Sequence, residues 1–366
     1  MIRTNIYNYF SKIPDPRINR NKKHNLTDII VLSVIAVLCG AESYDSIEEF
    51  GKARIDFLRK VLYLPNGIPS HDTINRVFSL IKQDKFEAVF IQWVDSLRNK
   101  KNIKEVIAID GKTVRGSKDS FHNKSAIHIV SAWASQNGLV LGQHKVDGKS
   151  NEITAIPELL EMIDIKGCIV TIDAMGTQKN IAQTIIDNEA NYILALKGNQ
   201  SYMKEDVESL CNRMKPSSEN EVVEKGHGRI ETRNCKVYNQ IDMLEDKEKW
   251  SEMKSAIKIS SQREIKNKIT TETRLYISSL DCDAIAFNQY IRQHWSVENN
   301  LHWILDMTFR EDEQRKRDNH AAQNFAIVRK IALNLLKQEN SNKLSLRTKR
   351  LKAGWNNDFL IKILQI

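Results

Sequence analysis

Two aspartates each follow a short apolar run: Val106-Ile-Ala-Ile109 leads into Asp110, and Cys168-Ile-Val-Thr-Ile172 leads into Asp173. Such runs predict buried strands. Strand ends in an open α/β sheet are where side chains leave the core together and sites form. If the two strands lie side by side, the carboxylates converge within reach of a shared cation. Hard divalent ions such as Mg²⁺, or Mn²⁺, take oxygen ligands, and carboxylates supply both charge and geometry. Two such ions about 3.5–4 Å apart can activate an attacking oxygen and stabilise a leaving one at a phosphodiester. A third acid must come from another element. Glu298 lies in His294-Trp-Ser-Val-Glu298-Asn-Asn-Leu-His302-Trp, with His302 one helical turn on and Asp306 a further turn along that face. Taken singly, each has an ordinary explanation: an Asp-Gly turn, a helix N-cap, a solvated glutamate. Their joint placement on a first strand, a fourth strand and a late helix is what points to cation chemistry.

The elements needed to position these acids are legible around them. Residues 1–95 read as a helical N-terminal domain. Its basic, Pro-containing arm over 13–24 cannot be helical through the prolines. Thr27 or Asp28 is set to cap an all-round apolar helix through Cys39. Ser46 with Glu49 forms a capping box for a helix through about Leu62, and Ser70 caps another carrying Ile74, Val77, Phe78 and Ile81. Two readings of these helices stand open: a DNA-reading helix-turn-helix, with Ser70 to Arg76 as its polar tip, or a small bundle packed on the main domain. Residues 96–366 form the second unit. After the first apolar run come strands Ala126 to Ala134 and Leu139 to Val146, joined by Gln136-Asn137-Gly138, a strong hairpin signal. A helix over 153–163, the second apolar run, a helix over 178–189, a strand over 192–196 and a helix over 203–214 complete the set. That order predicts an α/β fold with a ribonuclease-H-like mixed five-stranded sheet. Residues 217–280 break the alternation and read as a β-rich insertion, with strands Val222 to Tyr238, Ala256 to Ile265 and Thr270 to Ser278. One long amphipathic helix or two then span Asn288 to Leu305, another covers 320–337, and the basic stretch 343–352 reads as surface.

Charge narrows the partner. The 366 residues carry a formal net charge of +9, which favours a polyanion because each neutralised phosphate releases condensed counterions. Five scattered cysteines without a Cys-x-x-Cys pair fit neither a disulfide framework nor a zinc cluster, and suit a reducing cytoplasm. No apolar run approaches the roughly 20 residues a membrane helix needs, so a cytoplasmic, nucleoid-associated protein with no membrane partner is expected. No Gly-x-x-x-x-Gly-Lys-Ser/Thr phosphate loop is present. His294, His302 and Trp295 read as packing residues before metal ligands, because a hard-ion site wants oxygens.

Ordered blocks then carry a resemblance. They are Asp15-Pro-Arg17 with His24-x-Leu-x-Asp28, Pro69-Ser-His-Asp-Thr73 with Arg76-Val-Phe78, and Ala108-Ile-Asp-Gly-Lys-Thr-x-Arg-Gly-Ser117. Lys149-Ser-Asn-Glu-Ile153, Thr171-Ile-Asp-Ala174, Ala195-Leu-Lys-Gly-Asn-Gln200 and Gly226-His-Gly-Arg-Ile-Glu-Thr-Arg233 follow. The last is His294-Trp-x-x-Glu-Asn-x-Leu-His-Trp-x-Leu-Asp306 with Glu311-Asp312. Over nearly its whole length the chain resembles the H-repeat-associated (ISAs-type) DDE transposases of bacterial insertion sequences. The resemblance implies that Asp110, Asp173 and Glu298 are the three catalytic, metal-holding carboxylates. It also implies a β-rich insertion between the second and third acids. Around the glutamate the wider group places Tyr, Arg and Lys at set offsets; here His294 stands where the arginine would be, Tyr290 is one place off, and Leu305 replaces the lysine. Arg292, His294 and His302 are the candidates for those phosphate contacts.

The implied activity is cleavage of transposon ends and transfer of the 3′-OH strand into target DNA. The implied partners are double-stranded DNA, as terminal inverted repeats and target, and a second copy of the chain on that DNA. Lys112, Arg115, Lys149, Lys197 and Asn199, near strand ends, are expected to grip the DNA backbone. His227, Arg229, Glu231 and Arg233 alternate on one strand face, and the three basic ones suit DNA-end contacts. Two rival readings remain at this point: a ribonuclease-H-like nuclease that cuts without joining, and a repurposed or inactive transposase that only binds DNA.

Overall fold

A computed structural model of the chain describes residues 4–20, 22–100, 104–146, 151–226, 228–266, 268–341 and 343–366. Helices occupy its first part: α1 (Asn5–Phe10), α2 (Leu26–Leu38), α3 (Tyr44–Ala53), α4 (Ile55–Leu58), α5 (His71–Leu80) and α6 (Gln83–Leu97). α2 is buried along its whole length, as an apolar surface on every side requires. Its cap is Asn25, which accepts from Thr27 N–H at 3.1 Å, rather than Thr27 or Asp28. The expected Ser46–Glu49 box is also displaced. Ser43 caps α3 and accepts from Ser46 N–H at 3.1 Å, while the Ser46 hydroxyl accepts from Ser43 N–H at 2.9 Å. A serine thus does at the third position what glutamate usually does, and α3 stops at Ala53 instead of running to Leu62. Ser70 caps α5 as expected, accepting from Thr73 N–H at 3.4 Å. The polar tip of α5 is engaged: His71 bonds Glu48 at 2.7 Å and Asn75 bonds Asp318 at 3.1 Å.

The sheet begins with β1 (Val106–Val114), β2 (Ile127–Ala134) and β3 (Leu139–Lys145), an antiparallel meander. The Asn137-Gly138 turn joins the last two, with Gly138 at φ +64°. After α7 (Glu152–Met162), β4 (Ile169–Ile172) adds parallel to β1; after α8 (Lys179–Asp187), β5 (Asn191–Leu196) adds parallel to β4. α9 (Ser201–Arg213) closes the unit. This is the ribonuclease-H-like arrangement expected from the element order. One detail differs. β1 does not end at Asp110 but continues to Val114 against β2; what ends there is its pairing with β4.

The insertion is not a separate sheet. β6 (Ser218–Gly226), β7 (Arg229–Tyr238), β8 (Ser255–Ile265) and β9 (Lys268–Ser278) form two hairpins, and β9 pairs antiparallel with β5 from Ile193↔Ser278 to Leu196↔Leu275. One nine-stranded sheet results, in the order β3-β2-β1-β4-β5-β9-β8-β7-β6. The stretch read as a single strand from Val222 to Tyr238 is a hairpin whose turn includes Gly228, at φ +71°. α10 (Ala284–His294) crosses one face of this sheet, its Phe287 and Ile291 sharing a core with Val106, Ile169, Ile193 and Ile257.

A π-helical turn (Glu298–His302), α11 (Trp303–Met307), α12 (Ala321–Gln338), α13 (Leu346–Trp355) and α14 (Asn357–Leu364) complete the chain. α12 binds the two halves together: Asn324 donates to Phe78 O and Ile81 O, both at 2.8 Å, and a single apolar core extends from Ile6 to Leu364. The basic stretch 343–352 is only partly surface. Arg350 is buried and donates to Val37 O, Ala41 O and Thr308 O, and Lys349 is buried beside it. Among the described residues no helix is long and apolar enough to cross a membrane.

Candidate active site

The parallel register of β1 and β4 runs Ala108↔Thr171 and Ile109↔Ile172, so the next residues, Asp110 and Asp173, leave adjacent strands together. Adjacent strands lie about 4.8 Å apart. Asp110 accepts from its neighbour Gly111 N–H at 2.9 Å through Oδ1, and its Oδ2 meets His302 Nε2 at 3.1 Å. Asp173 Oδ1 accepts from Met175 N–H at 3.0 Å and Gly176 N–H at 3.4 Å. Asn199 steadies this loop by donating to Ala174 O at 2.6 Å. Burial, then the charges of Glu152 and Asp110, hold the Asp173 carboxyl above the ordinary range against those backbone bonds. Negative charge is therefore crowded at this sheet edge.

The two histidines near Glu298 differ in place. His294 is 8% exposed and bonds Thr171 Oγ1 at 2.9 Å beneath the aspartates. Burial lowers its pKa to about 4, so it packs there as a neutral ring. His302 is 7% exposed, touches Asp110, and has no hydrogen-bond partner at Nδ1 among the described residues. Glu298 itself is exposed and faces a groove of about 460 Å³. The turn carrying it is π-helical, a form that interrupts α-helices frequently at functional sites. Among the described residues no three His, Cys, Asp or Glu side chains are gathered closely enough to hold an ion. The two aspartates still offer the oxygen donors a hard cation takes, and Asp110 is fixed by a histidine behind it.

The groove beside Glu298 lies on the far part of the sheet face that α10 leaves uncovered. Arg229 and Arg233 of β7, Arg263 of β8, Arg274 of β9 and Arg292 of α10 line it. Arg274 lies over the Trp295 ring at 4.1 Å, and Trp295 also lines the smaller pocket that holds Asp173 and Lys197. Arg233 and Arg292 share Glu224, at 3.1 Å and 3.5 Å. Sequence reasoning singled out Arg229, Arg233 and Arg292 but missed Arg263 and Arg274. Their signal is cross-strand: Glu231↔Arg263 and Ile259↔Arg274 become visible only once the register is known.

Lys112 is not free to grip DNA. Its Nζ meets Asp306 at 2.5 Å, Glu311 at 3.1 Å and Asp312 at 3.3 Å. Burial works to lower its pKa, but these carboxylates prevail and raise it. Glu311 is 1% exposed. Lys112→Met leaves that buried carboxylate without its hydrogen-bonded cation, and is expected to cost about 3–5 kcal/mol, measured by urea unfolding. Arg115 is exposed and 3.6 Å from Asp312, and Lys197 is exposed at the mouth of the smaller pocket. Lys149 and His227 lie outside the described residues.

The mixed sheet, with two aspartates leaving neighbouring strands, is the ribonuclease-H-like frame of DDE transposase domains. Residues 101–335 match the family described as "Transposase DDE domain", and residues 7–94 match "DDE_Tnp_1-associated". The chain belongs to the H-repeat-associated branch of the DDE transposases. It is 42% identical to "Putative transposase YncI" of Escherichia coli O157:H7, over 98% of this chain and 94% of that one. It is also 42% identical to "H repeat-associated putative transposase YhhI" of Escherichia coli strain K12, over 97% and 96%. A 71-residue match at 45% identity joins 19% of this chain to 84% of "Inactive transposase YbfQ" of the same strain.

Proposed function

We propose that this chain cuts DNA at the ends of a mobile element and joins the freed 3′-OH strand to a target phosphodiester, with Asp110, Asp173 and Glu298 as its catalytic acids. The reading rests on the β1–β4 register, which sets two carboxylates from distant parts of the sequence side by side where the pairing of those strands ends. Those two acids would hold Mg²⁺ or Mn²⁺, and Glu298 would complete the ligand set when DNA fills the groove next to it. Bound there, divalent ions supply positive charge to the attacking and leaving oxygens of a phosphodiester. The chain's own part is to fix the acids and to deliver the phosphate. His302 holds Asp110 from behind, the Asn199–Ala174 bond and the backbone donors of 175–176 hold Asp173, and the arginine groove takes up the DNA backbone leading to Glu298. Two DNA ends brought together need two such sites, so the working unit on DNA is a dimer.

The test of this reading is a strand-transfer assay with labelled duplexes taken from the DNA bordering the reading frame. Joined products that require Mg²⁺ or Mn²⁺ are expected. Nicked products alone would reduce the protein to a nuclease, and DNA binding without either would leave only a repurposed binding protein. The groove makes its own prediction. Arg229→Ala together with Arg263→Ala should weaken duplex binding and flatten the log K against log salt slope by about 0.9 for each phosphate that is no longer neutralised. Fluorescence anisotropy at several salt concentrations reads both, and an unchanged slope would move the DNA path elsewhere.

A further inference from the structure

We propose that the loop over 115–126 is a DNA wedge, whose tip residue Phe121 enters the base stack of the duplex beside the phosphate under attack. The proposal rests on the reading above that this chain acts on DNA ends. Phe121 is 91% exposed, more than any other large apolar side chain among the described residues. A lone exposed apolar residue needs no explanation by itself; what sets this one apart is how it is held. Residues 119–124 close on themselves, Asp119 N–H donating to Lys124 O at 3.0 Å and Lys124 N–H to Asp119 O at 2.8 Å. Asn123 makes the reversal at φ +51°, a conformation asparagine adopts more readily than most residues. Inside the turn Asp119 is 7% exposed, and its Oδ2 lies 2.6 Å from His122 Nδ1. The His122 ring meets Phe121 edge to face, with centroids 4.8 Å apart. A buried carboxylate thus orients a histidine, and the histidine orients the exposed ring. The neck of the loop is fixed as well. Ser117 Oγ accepts from Ile127 N–H at 2.8 Å, and Gly116 presses on the backbone of Asp312 and Gln314.

Position and charge together name the occupant. β1 passes Asp110 and ends at Val114, so the loop stands beyond the part of the sheet that carries that aspartate. Those last residues of strand span about 13 Å, less than half the roughly 34 Å turn of a duplex. DNA whose phosphate lies at Asp110 therefore runs past the loop. Arg115, Lys118 and Lys124 are exposed around the tip. The loop's single acid, Asp119, is turned inward onto His122. An apolar ring framed by cations fits a partner with phosphates outside and stacked bases within. Phenylalanine is among the side chains that part base steps and kink a duplex. A ring already held in one orientation loses little entropy on entering.

The experiment uses the full-length protein on duplexes spanning the border of the reading frame, with 2-aminopurine placed at successive positions. The emission of this base rises when its step is unstacked. Wild type is expected to raise it several-fold at one step, within about half a helical turn of the cut. Phe121→Ala is expected to abolish that rise and to weaken duplex binding by about tenfold, as loss of a stacking ring does. Phe121→Trp should keep both near wild type. The ring is exposed, so the alanine variant keeps its fold. Unchanged emission and affinity in Phe121→Ala overturn the proposal, as does a wild type that binds and cuts without raising emission at any step. A Phe121→Ala variant that binds DNA normally but sediments on it without a second copy would assign the tip to a protein contact, and also overturns it. The underlying reading fails differently: wild type then neither binds nor cuts any of these duplexes, and the wedge falls with it.

Discussion

Asp110→Asn and Asp173→Asn are each expected to slow DNA-end cleavage by about a thousandfold or more, roughly 4 kcal/mol of barrier, while leaving the same DNA bound. The amide keeps the volume, and its carbonyl oxygen can still accept from Gly111, or from Met175 and Gly176, as the carboxylates do. What it removes is charge. For Asp173 the burial and the neighbouring acids that raise its pKa are relieved, so the fold should not suffer. DNA affinity comes mainly from phosphate contacts and their released counterions, which removing a negative charge does not weaken. Cleavage in single turnover and anisotropy on the same duplex separate the two effects. A loss of binding equal to the loss of rate would mean the aspartates shape the DNA site rather than its chemistry.

A large structural effect is expected from Gly116→Ala. A Cβ there would lie 2.6 Å from Asp312 O and closer still to Gln314 O, and both are backbone atoms that cannot rotate aside. The turn at 115–117 therefore has to press directly on the 311–314 segment. That contact also places Asp312, which accepts from Arg115 N–H at 3.1 Å and from Lys112 Nζ at 3.3 Å. Forcing the segments apart is expected to cost about 3 kcal/mol or more. It should also lower cleavage in whatever fraction stays folded, since Lys112 and the far end of β1 shift with it. Gly226→Ala is the matching control, because a Cβ at Gly226 meets nothing within 4 Å. Urea unfolding of the two variants side by side tests the contrast; equal midpoints would show that the 116–314 contact opens at little cost.

Local signals were enough to find the scaffold. The apolar runs before Asp110 and Asp173, the Asn137-Gly138 turn and the all-round apolar α2 each follow from the residues they contain, because periodicity and turn chemistry act over a few positions. The features that escaped depend on partners far along the chain. Nothing in the spacing indicates that β9 will extend the sheet from β5, which is why the insertion reads as separate. Lys112 looks like a phosphate ligand from its place near Asp110; it is claimed instead by Asp306, Glu311 and Asp312, nearly two hundred positions away. His294 stands where the wider group has an arginine, yet it lies buried on Thr171. Glu152 sits inside a matched block, but its bond to His128 arises only when α7 docks over β2. The candidate acids on the strands were thus legible, while the residues that hold them were not.

The proposed convergence of Asp110, Asp173 and Glu298 on one cation is measurable without catalysis. Fe²⁺ substituted for Mg²⁺, with ascorbate and peroxide, cuts a polypeptide where the ion binds. With a duplex end bound, cuts are expected near residues 110, 173 and 298, and all three should vanish in Asp110→Asn. Cutting that never reaches the neighbourhood of residue 298, with DNA present and the groove filled, would contradict the account.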